Sequence, residues 1–310
     1  MSKPTLLMIV SPKWKGLTEA TLDNAEVVLE GRDAYAPGDI DYVMSFTPPP
    51  GKIASLPNVK AAFCLGAGVD GFLCDPDYPR QVPLVRFVDR TLSAEMAQYV
   101  LMHVLIQHRR QRFFDAAQRD GRWRQQTLLR RTEDTRIGFL GFGEIGSFAA
   151  RHLIDLGFDV AAFSRSTKQM PGLTSFAGDD ALPAFLARTD ILICLMALTR
   201  KTAGILNAKT FAALPQGAFV INVARGGHLV EADLIAALDS GHLSGAVLDV
   251  FQEEPLPAAS PLWHHANVTI TPHIAAVSQT GVVLKYVHDG IAAFERGERP
   301  ANIVDVDAAY

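Results

Sequence analysis

Three side chains in the second half of the chain could together carry out redox chemistry on a small acid. Arg225 lies in NVARGG, Glu254 in LDVFQEEPLP and His273 in TPHIAA. Each follows an apolar, strand-like run, and in open α/β sheets ligands bind beyond the carboxyl ends of strands, so the three could converge. A guanidinium can hold a carboxylate and polarise the neighbouring keto oxygen. An imidazole can protonate that oxygen as hydride arrives. A carboxylate on its other ring nitrogen would favour the imidazolium and raise its pKa. The expected chemistry is reduction of a 2-keto acid to a 2-hydroxy acid, with Arg225 binding, His273 as the acid and Glu254 behind it. Taken singly, each has a bland reading: a surface Arg, a loop Glu, a capping His.

Hydride needs a carrier, and the stretch TRIGFLGFGEIG at 135–146 points to one. Ile137, Phe139 and Leu140 suit a buried strand, Gly141-Phe142-Gly143-Glu144-Ile145-Gly146 follows, and Ala149, Ala150, Leu153 and Ile154 continue with helical spacing. Strand, GxGxxG, then helix is the context that marks a dinucleotide site. The first glycine permits the tight turn, the second lets backbone approach a pyrophosphate, and the third lets helix and strand pack closely. The helix N-terminus offers N–H groups and partial positive charge. At the end of the next strand an acid would bind the ribose hydroxyls of NAD. Here the residues are Ser164, Arg165 and Ser166, with Lys168 behind and no acid. Hydroxyls and a guanidinium suit a 2′-phosphate, so NADPH is expected over NADH. If Arg165 only stacks on adenine, NAD serves as well.

These groups need scaffolding. At 310 residues the chain suggests two domains. Hydrophobic residues make up 48 % and charged ones 20 %, an ordinary globular balance. The net charge of −4 favours neither nucleic acid nor an acidic membrane as partner. Cys64, Cys74 and Cys194 fit neither a zinc site nor a redox pair, which suggests a reduced, cytoplasmic protein. No signal peptide is expected, and no apolar segment is long enough to span a membrane. His264 and His265 are adjacent, a poor ligand spacing, and no metal is expected.

In order, the pattern predicts strand 5–10, helix 17–30 capped by Gly31, strand 42–46 stopped by three prolines, strand 59–65 and strand 82–88. A long helix from Ser93 to about Asp120 carries the chain into the second domain. There the reading gives six strands, starting near residues 137, 158, 190, 218, 245 and 268. Helices are expected at 179–188, 207–214 and 231–239. A last helix, with Val282, Val283, Tyr286, Val287, Ile291 and Phe294, runs to Gly297 and returns to the first domain. The fold class is therefore α/β, with two Rossmann-like or flavodoxin-like parallel-sheet domains. A cofactor domain at 95–275 is inserted into a discontinuous substrate domain at 1–94 plus 276–310. Residues 107–131 are rich in arginine, which reads as a solvated helix face and loop, with binding of an anionic partner as the alternative. In the first domain Gly66-Ala67-Gly68 follows a strand, and such a turn can aim N–H groups at one anion. Ala67 and Gly68 are expected to receive the substrate carboxylate together with Arg225. Phe46 is a candidate pocket wall, with core packing as the alternative.

With these motifs in view, the chain resembles the D-isomer-specific 2-hydroxyacid dehydrogenase family. The resemblance rests on LGAGVD at 65–70, GFGEIG at 141–146, LMALTRKTAGIL at 195–206, NVARGG at 222–227, LDVFQEEPLP at 248–257 and TPHIAA at 271–276. Within the family it looks most like the glyoxylate/hydroxypyruvate reductase A group. The resemblance implies Arg225, Glu254 and His273 as the catalytic set and Asp249 as the partner of the nicotinamide carboxamide. It implies that Leu195, Met196, Ala197, Val223 and Ala224 line the cofactor, and that the protein is a homodimer joined through its cofactor domains. It also implies that the domains close on binding. Two departures stand out. Ser164 replaces the acid of many members, and Phe46 stands where members of the reductase group have Trp. The alternatives are a relative acting on a larger or phosphorylated 2-hydroxy acid, or a cofactor-sensing protein without turnover.

Overall fold

The computed structural model describes residues 3–125 and 130–307. The chain divides into two compact units, residues 1–89 with 278–310, and residues 90–277. Each unit is built on a parallel sheet.

The first unit contains β1 (Thr5–Ile9), α1 (Lys15–Thr21), β2 (Glu26–Leu29), β3 (Tyr42–Ser45), β4 (Ala61–Cys64), α2 (Asp70–Leu73) and β5 (Leu84–Arg86). The sheet order is β2-β1-β3-β4-β5, a flavodoxin-like arrangement whose order reverses between β1 and β3. Leu6, Leu7, Met8, Val43, Met44, Ala62 and Phe63 are fully buried, so these strands read as continuous apolar runs. The helix expected at 17–30 is corrected: α1 ends at Thr21, and Glu26–Leu29 forms β2, paired with Thr5–Met8. Helical spacing of Leu22, Ala25 and Leu29 was deceptive, because β-branched Val27 and Val28 favour the pleated edge beside β1. Gly31, at φ +75°, turns the chain after that strand and caps no helix.

The second unit opens with α3 (Arg90–His108), followed by α4 (Gln111–Arg119). The single helix expected from 93 to 120 is therefore two, broken where Arg110 turns left-handed at φ 57°. Then come β6 (Arg136–Leu140), α5 (Glu144–Asp155), β7 (Asp159–Ser164), β8 (Leu173–Ala177), α6 (Leu182–Ala187), β9 (Ile191–Cys194), α7 (Ala208–Ala213), β10 (Ala218–Asn222), α8 (Glu231–Asp239), β11 (Leu243–Leu248) and β12 (Val268–Ile270). The sheet has seven strands in the order β8-β7-β6-β9-β10-β11-β12, one more than expected. The missed strand, β8, is a half-buried edge strand behind Pro171-Gly172, with too little apolar contrast to announce itself. Counted from β6, the order is the Rossmann 3-2-1-4-5-6 pattern with one strand added, reversing between β6 and β9. The final helix, α9 (Thr280–Glu295), belongs to the first unit and buries Val283, Leu284, Val287 and Ile291.

Much of the arginine-rich stretch is engaged internally. Arg112 lies over Phe219, and Arg110 and Arg124 lie over Phe113. Arg130 pairs with Asp190, and Arg131 with Glu133 and Asp134. Residues 126–129 of that stretch lie outside the described residues. Among the described residues no helix is long and apolar enough to cross a membrane, and no disulfide joins the cysteines.

Candidate active site

The reversal of strand order in the second unit places two loops side by side. Gly141 follows β6 with φ +90°, and a Cβ there would lie 2.8 Å from the Leu195 carbonyl carbon after β9. The Leu195 amide donates to Leu140 O at 2.8 Å, which locks the approach. At the third glycine, Gly146, a Cβ would sit a tight 3.1 Å from Gly141 O, so glycine eases the close start of α5 against β6. Gly143 differs from both. It is exposed, and a Cβ would meet nothing within 4 Å. Backbone there is open at the N-terminus of α5, with Glu144 at its first position. Phe142 is buried edge-on against Phe139, and Ile145 is half-buried. A bare glycine edge on a helix N-terminus fits a dinucleotide pyrophosphate.

At the end of β7, Ser164 is buried and its hydroxyl donates to Ser166 O at 2.8 Å. Its one proton thus shapes the turn. Arg165 and Ser166 are exposed, and the Lys168 amide donates to Ser175 Oγ. Cationic groups and a hydroxyl, rather than a carboxylate, close this end of the crevice. After β9, Leu195 and Met196 are half-buried, and Ala197 O accepts from Thr202 Oγ1 at 2.7 Å.

Arg225 is positioned by the first residue of its own motif, Asn222. Asn222, fully buried at the end of β10, donates to Arg225 O and accepts from the Ala224 amide. Val223 and Ala224 are buried, while the half-buried Arg225 donates from Nη1 to Ala224 O at 2.8 Å. A Cβ on Gly226 would lie 1.8 Å from the Phe251 carbonyl carbon, so the Arg225 turn is pressed directly on the loop after β11. That loop carries Glu254, whose Oε1 accepts from the Phe251 amide at 2.9 Å. Its Oε2 lies 2.7 Å from His273 Nδ1. The side chains of His273 and Glu254 are 48 % and 35 % exposed, so the pair faces solvent and can exchange protons with it.

His273 follows β12 in an unusual backbone state, φ 56°. The left-handed region costs a non-glycine residue roughly 1–2 kcal/mol, and here Asp249 offsets it. The His273 amide donates to Asp249 O and to Thr271 O, at 2.8 and 3.1 Å. The Asp249 carboxylate, 1 % exposed, accepts from Thr271 Oγ1 and from the Ile274 and Ala275 amides. The structure therefore shows Asp249 holding the His273 loop, an arrangement that motif spacing did not convey. Polar residues closing an apolar strand, here the buried Asn222 and Asp249 and the half-buried Thr271, are the signal that could have revealed it.

In the first unit, Phe46 follows β3, beside the strand-order reversal. Its ring is 44 % exposed and stands edge-on to Trp14, 5.8 Å between centroids. The Gly66-Ala67-Gly68 turn follows β4 and is half-buried, with Gly68 O accepting from Cys64 Sγ. A Cβ on Gly71 would meet Phe46 O at 2.8 Å, so this turn and the Phe46 segment pack together.

Comparison with known proteins decides the family. Residues 101–275 match the D-isomer specific 2-hydroxyacid dehydrogenase, NAD binding domain. This chain belongs to that family. It is an NAD(P)-dependent oxidoreductase with two parallel-sheet α/β domains. It is 41 % identical to the glyoxylate/hydroxypyruvate reductase A of Yersinia enterocolitica over 303 residues, 96 % of each chain. A family member from Xanthobacter autotrophicus, solved with NADPH and MES, matches with a TM-score of 0.92 and 39 % identity over the whole of both chains. The NADPH-dependent glyoxylate/hydroxypyruvate reductase of Sinorhizobium meliloti, solved with NADP and sulfate, matches with a TM-score of 0.91 and 37 % identity over the same span.

Proposed function

We propose that this enzyme uses NADPH to reduce a small 2-keto acid, of the glyoxylate or hydroxypyruvate class, to the D-2-hydroxy acid. The observation that carries the reading is the His273–Glu254 pair, 2.7 Å apart and open to solvent, joining the loop after β12 to the loop after β11, with the Arg225 turn pressed against the Glu254 loop. The relatives support it, since curated reductases A at 41 % and 42 % identity align with nearly the whole chain.

A bound nucleotide would supply the hydride that the keto carbon takes up. Gly141, Phe142, Gly143, Glu144 and Ile145 would hold its pyrophosphate, while Leu195, Met196, Ala197, Val223 and Ala224 would line its site. Arg165, Ser166 and Lys168 would meet the 2′-phosphate, with Ser164 shaping their turn. Arg225 holds the substrate carboxylate and draws electron density toward the keto oxygen. As that oxygen gains charge, His273 gives it a proton. Glu254 keeps the imidazole oriented through its contact with Nδ1, 2.7 Å away. The resulting neutral imidazole regains a proton from solvent through its exposed edge. From the first unit, the Ala67 and Gly68 backbone is assigned to the substrate carboxylate and Phe46 to the wall of the substrate pocket. Phe46 in place of Trp removes an indole N–H donor and leaves an apolar wall, which favours 2-keto acids with less polar tails.

The reading includes a cytoplasmic homodimer, in which Met102 and Leu105 on α3 and Trp123, all exposed here, would be covered. Sedimentation at micromolar concentration tests that part. Turnover of NADPH and NADH on keto acids of increasing length, phosphorylated ones included, tests the activity. Glyoxylate or hydroxypyruvate should be reduced with NADPH at the higher kcat/KM. A preference for NADH removes the 2′-phosphate assignment, a preference for long or phosphorylated acids moves the substrate, and binding without turnover on any of them makes the chain a cofactor sensor.

A further inference from the structure

We propose that Tyr99 on α3, acting through Thr271, is a positioning residue for His273; this rests on the reading of His273 as the proton donor. The phenol oxygen of Tyr99 lies 2.5 Å from Thr271 Oγ1, which in turn lies 2.5 Å from Asp249 Oδ1. Directions follow from the chemistry of the three groups. A carboxylate only accepts, so the single Thr271 proton goes to Asp249. Thr271 Oγ1 is then the acceptor in the first contact, and Tyr99 must be the donor. Burial pushes the Tyr99 phenol up to about 12, so it keeps that proton across the working range.

Asp249 uses the same carboxylate to hold the Ile274 and Ala275 amides, and its carbonyl receives the His273 amide. The relay from Tyr99 therefore ends on the group that keeps His273 left-handed. Four residues earlier on α3, Glu95 Oε2 accepts from the Val277 amide at 2.8 Å. One helix face thus grips the 271–277 loop at both ends, because residues four apart project on the same side. The buried His103, four residues further, packs its ring against Tyr99 at a 56° tilt with 4.4 Å between centroids, which supports the phenol from below. His273 has no comparable packing of its own. With nearly half its side chain exposed, its aim depends on Glu254 and on the backbone beneath it.

The experiment compares Tyr99→Phe, Thr271→Val and Thr271→Ser in the wild-type chain and Tyr99→Phe in a His273→Ala background. Loss of aim at a catalytic group costs about tenfold to a hundredfold in rate. Tyr99→Phe and Thr271→Val should lower kcat by such a factor with the Kd for NADPH unchanged, while Thr271→Ser, which restores the hydroxyl, keeps the rate. Tyr99→Phe should have no further effect once His273 is alanine. Hydrogen exchange without substrate gives a second readout: the Ile274 and Ala275 amides should exchange faster in Tyr99→Phe. Wild-type kcat in Tyr99→Phe, equal losses in Thr271→Ser and Thr271→Val, or the same fractional loss in the His273→Ala background overturns the proposal while leaving His273 as the donor. Near-normal turnover of His273→Ala itself removes the donor assignment, and this proposal with it.

Discussion

The two ends of the second unit's sheet treat charge in opposite ways. At the amino ends, Asp190 accepts from the Arg136 amide, Nε and Nη2 at 3.0, 2.9 and 2.8 Å, and pairs with Arg130 at 2.8 Å. Arg188 pairs with Asp159 between β9 and β7. Burial pushes the Asp190 carboxyl up, yet the hydrogen bonds from Arg136 and Arg130 outweigh it and hold the group below its ordinary value. At the carboxyl ends Asp249 is buried and saturated as well, but the catalytic candidates stay near the surface. His273 and Glu254 face solvent, and a strained backbone aims the imidazole. Charge that is buried and saturated holds strands together; charge left within reach of solvent can meet a ligand. The same sheet thus separates stability from chemistry by some five residues of strand.

Substitutions at the two ends should therefore fail in different ways. The largest effect is expected for His273→Ala, which should lower kcat by about 10²–10⁴ with an unchanged melting temperature; steady-state kinetics and a thermal melt check both halves. A large loss of stability there would blur the division between the ends. Asp190→Ala removes the shared acceptor of the Arg136 amide and of two partly exposed guanidinium groups and should cost about 1.5–3 kcal/mol of folding stability, with near-normal turnover in the cold, measured by urea unfolding and kinetics. The pH sign follows from the lowered folded-state value of Asp190. Its contribution is complete above the unfolded carboxyl pKa and disappears as pH falls through the folded one. The stability gap between wild type and Asp190→Ala should accordingly narrow in acid. Arg225→Ala should lower kcat/KM for the keto acid by up to about a hundredfold through a lost charged hydrogen bond, raising KM and reducing kcat without changing the urea midpoint. The smallest effect is Arg165→Ala, where KM for NADPH should rise about tenfold and that for NADH stay the same. Equal changes for both cofactors would mean that Arg165 only stacks on adenine.

The sequence conveyed these ends unequally. Gly141, Gly143 and Gly146 were readable because a strand precedes them and a helical pattern follows; the fold crowds Gly141 and Gly146, while Gly143 leaves its backbone open. Arg225, Glu254 and His273 could be located because each comes just after an apolar run. Their supports could not. Asp249, Thr271 and Tyr99 act through contacts between residues 22 to 172 apart, which no local pattern encodes, and Asn222 acts through a turn of its own side chain onto Ala224 and Arg225 that its place in the motif does not announce. The elements misread were those where local and tertiary preferences conflict: β2 mimicked a helix in spacing, β8 is a half-exposed edge, and α3 stops at Arg110 through one left-handed residue. The seven-stranded order, by contrast, extends the expected fold without altering it.

Gly226, seated against the Phe251 carbonyl, has a consequence for heredity as well as for shape. The turn bearing Arg225 and the loop bearing Glu254 interlock without a side chain between them, so neither can be exchanged alone for a differently curved counterpart. Hybrids spliced from two homologous parents should work when residues 222–254 descend from one of them, and lose activity when the junction falls between 226 and 251.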